Sequence, residues 1–247
     1  MLLSELFMSM QGEGPDVGGP AVFVRLHGCP VQCPGCDTHY TWDGSEAGNR
    51  VEVDAMMKQI AERLSEFPGC SVVLTGGEPL IQYHNHHLVD HLLLLQRGYG
   101  SPRPRGLHLE TSGVCRGSLN APRQTDLMRR FLSAFDLVVC SPKVIGPLVG
   151  QLPEELMVEN FNILLSLPGV IAFKFVVRTA SDVDAVARFC KKHSIGTGPN
   201  EVFVMPFGQE RDELLACCEA IVPAAAKHGF RISPRLHSLI WGKERNR

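Results

Sequence analysis

The sequence contains the stretch AVFVRLHGCPVQCPGCDT (residues 21–38), in which an apolar run passes directly into a loop that carries three cysteines. The valines and phenylalanine of residues 21–27 predict a strand. Glycines and prolines surround Cys29, Cys33 and Cys36, which places these cysteines in a loop rather than in a core. Their spacing, C-x3-C-x2-C, is one cysteine short of a closed four-thiolate metal site.

Three kinds of chemistry use cysteines at such short spacing. A zinc site would need a fourth ligand, and His27, Asp37 and His39 lie nearby in the sequence. A C-x-x-C redox pair would use the second and third cysteines and leave Cys29 unexplained. A four-iron cluster is normally held by four thiolates, so three would leave one iron free to bind a small molecule. The cluster explains the missing fourth cysteine, and we therefore predict that all three cysteines are cluster ligands with a catalytic role.

The other six cysteines follow no ligand spacing, and several lie in apolar segments. We predict that they are small buried side chains, as is usual for free cysteine. Nine cysteines is an odd number, and the first residues show no secretory signal pattern, so we expect no disulfide framework. The six are Cys70, Cys115, Cys140, Cys190, Cys217 and Cys218.

The composition narrows the class of protein. Apolar residues make up 44% of the 247 residues, which is enough for a sizeable core. The net charge of −2 and the mixing of the two signs give no basic stripe, so we expect no nucleic-acid partner. No apolar run reaches the length of a membrane span. We expect a cytoplasmic protein without a membrane partner.

Strand-like and helix-like segments alternate along the chain. Strands are predicted at residues 21–27, 71–74, 107–110, 136–140, 171–177, 201–205 and 230–233. Helices are predicted at residues 53–67, 86–97, 125–135, 182–193 and 210–228, while 98–105 and 143–169 are less regular. This alternation predicts an α/β fold with a mainly parallel sheet, either open or closed into a complete or partial barrel. Without a repeat or linker, we expect one domain over residues 1–247.

Six unusual motifs each follow a predicted strand. They are the cysteine loop, TGGEP (75–79), ETSG (110–113), SPK (141–143), MPFG (205–208) and SPRLH (233–237). The carboxyl ends of parallel strands lie at one edge of a sheet, where α/β enzymes build their active sites. The sequence therefore predicts an enzyme whose site is assembled along this edge.

The cysteine spacing and the GGEP motif together resemble the radical S-adenosylmethionine superfamily, and the chain resembles more closely its 7-carboxy-7-deazaguanine synthase family. The segments that carry the closer resemblance are residues 10–42, 72–80, 107–113, 138–143, 173–177 and 233–242. QGEG (11–14) and CDT (36–38) are its most specific parts. The resemblance implies a partial (β/α) barrel of the radical S-adenosylmethionine type.

The resemblance also implies an activity and its requirements. The reaction is the radical ring contraction of 6-carboxy-5,6,7,8-tetrahydropterin to 7-carboxy-7-deazaguanine with loss of ammonia, on the route to 7-deazapurines such as queuosine. The implied cofactors are a [4Fe–4S] cluster, S-adenosylmethionine and Mg²⁺. The implied partners are the small pterin substrate, an electron donor such as flavodoxin or ferredoxin, and a second copy of the chain in a homodimer.

Residue roles follow from the same resemblance. Residues implied to bind S-adenosylmethionine are Gly35, Cys36, Asp37, Gly76, Gly77, Glu78, Ser112, Ser141, Pro142, Lys143, Met205 and Pro206. Residues implied to bind the pterin are Met10, Gln11, Gly12, Glu13, Arg25, Thr75 and His237, and Thr38 is implied to bind Mg²⁺. Many members of the superfamily have an aromatic residue where this chain has Gly35, so the adenine needs other contacts.

Some interpretations stay open at this stage. Arg25 lies inside an apolar strand and needs a partner, which is either a substrate carboxylate or a structural ion pair. Thr38 either offers a hard oxygen to Mg²⁺ or caps a turn. The histidines between His84 and His91 are expected to be exposed imidazoles at a helix start, without a metal.

Two other functions remain possible from the sequence. A radical-generating activase of a glycyl-radical protein shares the cysteine loop and GGEP, but it would need a groove for a protein substrate. A non-enzymatic module stabilised by zinc or a cluster would leave the six motifs without a purpose.

Overall fold

The computed structural model describes residues 1–99, 102–115, 122–150, 154–166, 170–196 and 201–245. Its strands are β1 (Leu2–Met10), β2 (Pro20–Leu26), β3 (Asn49–Arg50), β4 (Ser71–Gly76), β5 (Leu107–Thr111), β6 (Leu137–Cys140), β7 (Val170–Val177), β8 (Glu201–Pro206) and β9 (Arg231–Ile232). Its α-helices are α1 (Val53–Glu66), α2 (His86–Gln96), α3 (Pro122–Leu132), α4 (Glu154–Leu165), α5 (Ala180–Lys192), α6 (Arg211–His228) and α7 (Leu236–Trp241).

The strands form one nine-stranded sheet in the order β3-β1-β2-β4-β5-β6-β7-β8-β9. Every neighbouring pair from β2 to β9 is parallel, whereas β1 is antiparallel to both β2 and β3. Within the described residues, the edge strands β3 and β9 do not pair with each other, so the sheet is open. The predicted α/β fold with a mainly parallel sheet and a partial barrel is confirmed.

The predicted elements agree with the structure apart from their ends, and the structure adds elements that were not predicted, among them the short strand β3. The cysteine loop follows β2 rather than the first strand of the sheet, because β1 precedes it and pairs with β2 as a hairpin. Helix α4 lies inside residues 143–169, which were expected to be irregular. Helix α7 follows the last predicted strand and was not expected.

The core forms where one face of each helix packs on the sheet. Helix α1 buries Val53, Met56, Ile60 and Leu64, whose spacing of three and four residues lies on one helix face. The central strands bury an apolar face against these helices, whereas the opposite face also carries polar residues, such as His108 and Glu110 on β5 and Lys174 on β7. Of the six cysteines outside the motif, five are buried as predicted, and Cys218 is half-buried.

The parallel strands bring the six motifs to one edge of the sheet. They follow β2, β4, β5, β6, β8 and β9, and all of these strands run in the same direction. Among the residues that the structure describes, no helix is both long and apolar enough to cross a lipid bilayer.

Candidate active site

A cavity of about 480 Å³ opens at this carboxyl edge, and most of the predicted site residues line it. The predicted residues on its wall are Met10, Gln11, Gly12, Glu13, Arg25, Cys29, Cys33, Cys36, Asp37, Thr38, Thr75, Gly76, Gly77, Ser112, Ser141, Lys143, Met205 and His237. Glu78, Pro142 and Pro206 are buried and do not line the wall, and Gly35 is exposed and does not line it either. The volume is in the range of sites for small molecules.

Backbone hydrogen bonds fix the cysteine loop to the loop after β4. The amide of Gly77 donates to the carbonyl of Leu26 (3.0 Å), and the amide of Glu78 donates to the carbonyl of Gly28 (2.9 Å). A Cβ at Gly77 would lie 2.1 Å from the Gly28 carbonyl oxygen, and one at Gly76 would lie 2.3 Å from backbone atoms of Leu26. Only glycine permits this approach, so the GG pair sets the position of the cysteine loop.

The three cysteines are free thiols on the cavity wall. Burial raises the pKa of Cys29 to about 12 and that of Cys33 to about 11, so the thiols need a cation to ionise. Three protein thiolates leave one iron of a four-iron cluster open to a small molecule.

Glu78 is fully buried and lies beneath the cavity floor. Its carboxylate accepts hydrogen bonds from the amide of Leu80 (2.9 Å), the hydroxyl of Thr111 (2.5 Å) and both the amide (2.7 Å) and hydroxyl of Ser112. Burial raises its pKa, and the surrounding donors partly offset this effect. The carboxylate thus ties the loop after β4 to the end of β5, and its oxygens are already occupied by protein donors.

The polar wall continues along the ends of β5 and β6. The amide of Ser141 donates to the carbonyl of Thr111 (2.7 Å), and the ammonium group of Lys143 donates to the hydroxyl of Ser141 (2.7 Å). Ser112, Ser141 and Lys143 therefore present two hydroxyls and one cation to the same side of the cavity. These groups suit the ribose hydroxyls and the carboxylate of S-adenosylmethionine, the cofactor that the resemblance implies they bind.

Gly35 has a backbone φ of +70°, which explains the glycine at this position. A bulky aromatic residue would be strained there. The ring of Phe207 and the side chain of Leu148 lie 3.7 Å and 3.8 Å from where a Cβ would stand. Apolar contacts next to the cysteine loop therefore come from other parts of the edge.

A buried charge network surrounds Glu13. Its carboxylate pairs with the Lys174 ammonium group and with Nε of Arg235 (3.2 Å), and Nε2 of His237 lies 3.8 Å away. Burial alone would raise the pKa of Glu13, but these cations hold it well below its usual value. Burial lowers the pKa of His237, which disfavours the charged form of its imidazole. Arg235 also pairs with Asp37 of the cysteine motif.

Glu110 joins two of the predicted pterin-binding residues. The side-chain amide of Gln11 donates to one carboxylate oxygen of Glu110 (2.9 Å), and the hydroxyl of Thr75 donates to the other (2.9 Å). The cavity wall also includes Lys174 and Arg235, and none of these three charged residues was predicted as a site residue. A signal existed for Lys174, since a lysine inside the apolar strand FKFVV needs a buried partner just as Arg25 does.

Arg25 pairs with a protein carboxylate, the structural alternative that the sequence left open. Its Nε donates to Glu5 (2.8 Å), which also accepts from the Tyr40 hydroxyl (2.9 Å) and from Arg245 (2.6 Å). Burial raises the pKa of Tyr40 to about 12, and the negative charge of the nearby Glu5 contributes to the same effect. Arg25 nevertheless lines the cavity. Its hydrogen bond to Glu5 uses only Nε and leaves the two terminal guanidinium nitrogens outside that bond.

Thr38 does not use its side chain to cap the turn that follows it. Its hydroxyl lies 3.5 Å from the Cys36 sulfur, and both groups face the cavity. The backbone carbonyl of Thr38 accepts instead, from the amide (3.0 Å) and the hydroxyl (2.8 Å) of Thr41. The hydroxyl of Thr38 is therefore placed beside the cysteines by the backbone of the loop.

Comparison with known proteins agrees with this geometry. The family described as a 4Fe-4S single cluster domain matches residues 10–141. The 7-carboxy-7-deazaguanine synthase of Pyrobaculum aerophilum is 36% identical over 98% of this chain and 96% of its own length. That of Hyperthermus butylicus is 35% identical over 96% of this chain and 91% of its own length. The crystal structure of QueE from Escherichia coli has the same fold, with a TM-score of 0.63 and 24% identity over 96% of this chain and 94% of that one.

The open parallel sheet, the cysteine loop and the GGEP loop define a radical S-adenosylmethionine enzyme with a [4Fe–4S] cluster. Full-length similarity to the archaeal enzymes narrows this class further. The chain belongs to the 7-carboxy-7-deazaguanine synthase family.

The network around Glu13 predicts a stability effect. We expect Glu13→Gln to destabilise the cluster-free chain by about 3–5 kcal/mol, because it leaves buried cations unpaired. The measurement is denaturant unfolding under reducing conditions. Because the pKa of folded Glu13 lies below the ordinary 4.5, its contribution is present above pH 4.5 and is lost as the pH falls further. The difference between the two proteins should therefore shrink in acid.

Glu201→Gln is the matched control, since Glu201 pairs with Arg231 and both are exposed. We expect it to cost less than about 1 kcal/mol. An equal cost for the two variants would contradict a special role for the buried network.

Proposed function

We propose that this chain converts 6-carboxy-5,6,7,8-tetrahydropterin to 7-carboxy-7-deazaguanine with release of ammonia. The observation that carries the proposal is the meeting of three free cysteines and a buried charged pocket in one small-molecule cavity. Membership of the family supports the same reaction. The substrate is a small, flat, polar molecule with a carboxylate, and the wall offers cations, carboxylates and hydroxyls to such a molecule.

Cys29, Cys33 and Cys36 would hold the cluster, as three free thiols on the wall. When bound, the cluster supplies the electron that cleaves S-adenosylmethionine and starts the radical reaction. The backbones of Gly76 and Gly77 would receive the methionine amino group of that cofactor. Ser112, Ser141 and Lys143 would bind its ribose hydroxyls and carboxylate, because their polar groups converge on one side of the cavity.

The adenine would lie against apolar parts of the wall rather than against residue 35. Leu148, Val176 and Met205 supply apolar surface there. Asp37 lines the wall and would be held in position by Arg235, with which it pairs. Glu78 would support the cofactor-binding loops from beneath the cavity rather than contact the cofactor, since its oxygens already accept four hydrogen bonds from the protein. Pro142 and Pro206 would shape their loops from behind the wall.

The pterin would lie between the strand edge and the loop after β1. Gln11, Thr75 and Glu110 form a connected row of amide, hydroxyl and carboxylate groups, which suits the paired donors and acceptors of a pterin edge. Glu13 and His237 close the adjoining side, and His237 packs directly over Gly12. Arg25, held through Nε by Glu5, has two other nitrogens for the substrate carboxylate.

Several further features are part of the proposal. Residues 1–247 would form a single radical S-adenosylmethionine domain, and Thr38 would bind Mg²⁺. The homodimer, the electron donor of the flavodoxin or ferredoxin type and the cytoplasmic location stay predictions. The cavity favours this function over a glycyl-radical activase, because about 480 Å³ suits a small molecule rather than a protein segment.

The direct test is turnover of the carboxypterin. We expect the anaerobically reconstituted protein to release 7-carboxy-7-deazaguanine, identified by mass spectrometry. Cys33→Ala should lose both the iron and the activity, since a thiolate ligand is removed. Cys218→Ala is the control, because this half-buried cysteine lies on α6. Iron retention and turnover by Cys33→Ala would refute the ligand assignment, and a loaded wild type without turnover would refute the substrate.

Arg25→Ala should weaken carboxypterin binding while S-adenosylmethionine still binds and is cleaved slowly. Loss of a charge-assisted pair costs about 1.5–3 kcal/mol, so we expect KM to rise roughly ten- to hundredfold. The readouts are KM and the cleavage of S-adenosylmethionine without substrate. Arg25→Lys keeps the charge but not the forked geometry of the guanidinium group, so its KM should lie between those of the wild type and Arg25→Ala.

Arg231→Ala is the matched control, as Arg231 pairs with the exposed Glu201 away from the cavity. It should leave KM unchanged. If Arg25→Ala loses the cluster or fails to fold while Arg25→Lys keeps a normal KM, then Arg25 serves only its ion pair with Glu5.

The Thr38 proposal predicts a change in the response to Mg²⁺. Mg²⁺ should stimulate the wild type, and Thr38→Ala should lose or weaken that response, because a hard oxygen ligand is removed. Thr38→Ser keeps the hydroxyl and should behave like the wild type. The measurement is initial rate against Mg²⁺ concentration. Identical curves for the wild type and Thr38→Ala would remove the metal from this residue.

A further inference from the structure

Helices α1 and α2 bring together three metal-binding side chains on the outer surface. Asp54 lies in the first turn of α1, and His87 and His91 lie on the first two turns of α2. The two histidines are four residues apart, so their rings share one face of the helix. Their ligand atoms and an oxygen of Asp54 all lie within 4.8 Å of one another. The sequence placed the histidines at a helix start but did not bring Asp54 to them.

The distances in this cluster are close to those of a metal site. Nε2 of His87 lies 3.4 Å from Oδ1 of Asp54, and Nε2 of His91 lies 2.8 Å from the same oxygen. Ligands at 2.0–2.1 Å from a tetrahedral zinc ion are about 3.3 Å apart. The first distance matches, and the second needs to widen by roughly 0.5 Å. The Asp54 side chain is 71% exposed, so its carboxylate is free to turn by that amount.

The chemistry of the three groups selects the kind of ion. Two imidazoles and one carboxylate favour a first-row divalent transition metal such as Zn²⁺ over Mg²⁺, which prefers oxygen ligands alone. Within the described part of the chain, none of the three side chains has an ion pair outside this cluster, so metal binding breaks no ion pair with another residue. His87 and Asp54 are exposed, so water can complete the coordination shell.

We propose that Asp54, His87 and His91 form a surface site for a divalent transition metal, with Zn²⁺ as its representative ion. Because α1 follows the cysteine loop and α2 follows the GGEP loop, a bound ion would link the two segments that leave these loops. The site is separate from the cavity, since none of its three residues lines that wall. The proposal does not depend on the substrate of the enzyme.

The test is anaerobic calorimetry with Zn²⁺ and the cluster-loaded protein in excess Mg²⁺. We expect the wild type to bind a single zinc ion, and His87→Ala or His91→Ala to weaken binding by roughly tenfold or more, since each removes a ligand. The double variant, which carries both His87→Ala and His91→Ala, should no longer bind zinc at this site. His86→Ala is the control, because this exposed histidine lies on the same helix turn outside the cluster. Zinc should also raise the unfolding temperature of the wild type but not of the double variant.

X-ray absorption at the zinc edge identifies the ligands directly. Nitrogen and oxygen ligation with unchanged iron content supports the surface site. Sulfur ligation, or loss of iron on zinc addition, would place zinc in the cysteine loop and overturn the proposal. Zinc binding by the double variant as tight as that of the wild type would also overturn it. The variants change only exposed or half-exposed side chains, so each outcome can be read on folded protein.

Discussion

The carboxylate of Glu78 holds together the loops from which the candidate site is made. It is buried, and no cation among the described residues forms an ion pair with it, so hydrogen bonds have to satisfy its charge. The four donors that surround it come from its own loop and from the end of β5. The same loop fixes the cysteine segment through the amides of Gly77 and Glu78. One buried acid thus aligns the ends of three neighbouring strands, β2, β4 and β5.

The opposite side of the cavity depends on charge rather than on backbone contacts. Glu13 draws Lys174 and Arg235 inward, and Arg235 in turn reaches Asp37 beside the third cysteine. Breaking one member leaves the others buried and unpaired, which is why such networks are sensitive to single substitutions. The network also holds the imidazole of His237 close to Gly12, where only a residue without a side chain leaves room for it.

The sequence predicts the strand ends well because local rules govern them. Apolar runs that stop at glycine, proline or serine give β2, β4, β5, β6 and β8 within one or two residues, and direction follows from the β–α alternation. Glu110 and Arg235 were missed as site residues because their roles depend on partners. Glu13 meets Arg235 across 222 residues and Lys174 across 161, distances that no local pattern encodes. At Gly35 the sequence showed an unexpected residue without its cause, and the structure supplies that cause, since the backbone there has a positive φ that favours glycine.

These long separations also bear on the order in which the molecule is completed during synthesis. The cysteine loop and the GGEP loop are in contact once β4 has been made, since all their bonds lie within residues 26–78. The charged side of the cavity waits for the segment after β9, because Arg235 is made 198 residues later than its partner Asp37. Contacts that close such long loops form late. The residues whose bonds position the thiol loop are therefore all synthesised well before the residues that close the charged side of the pocket.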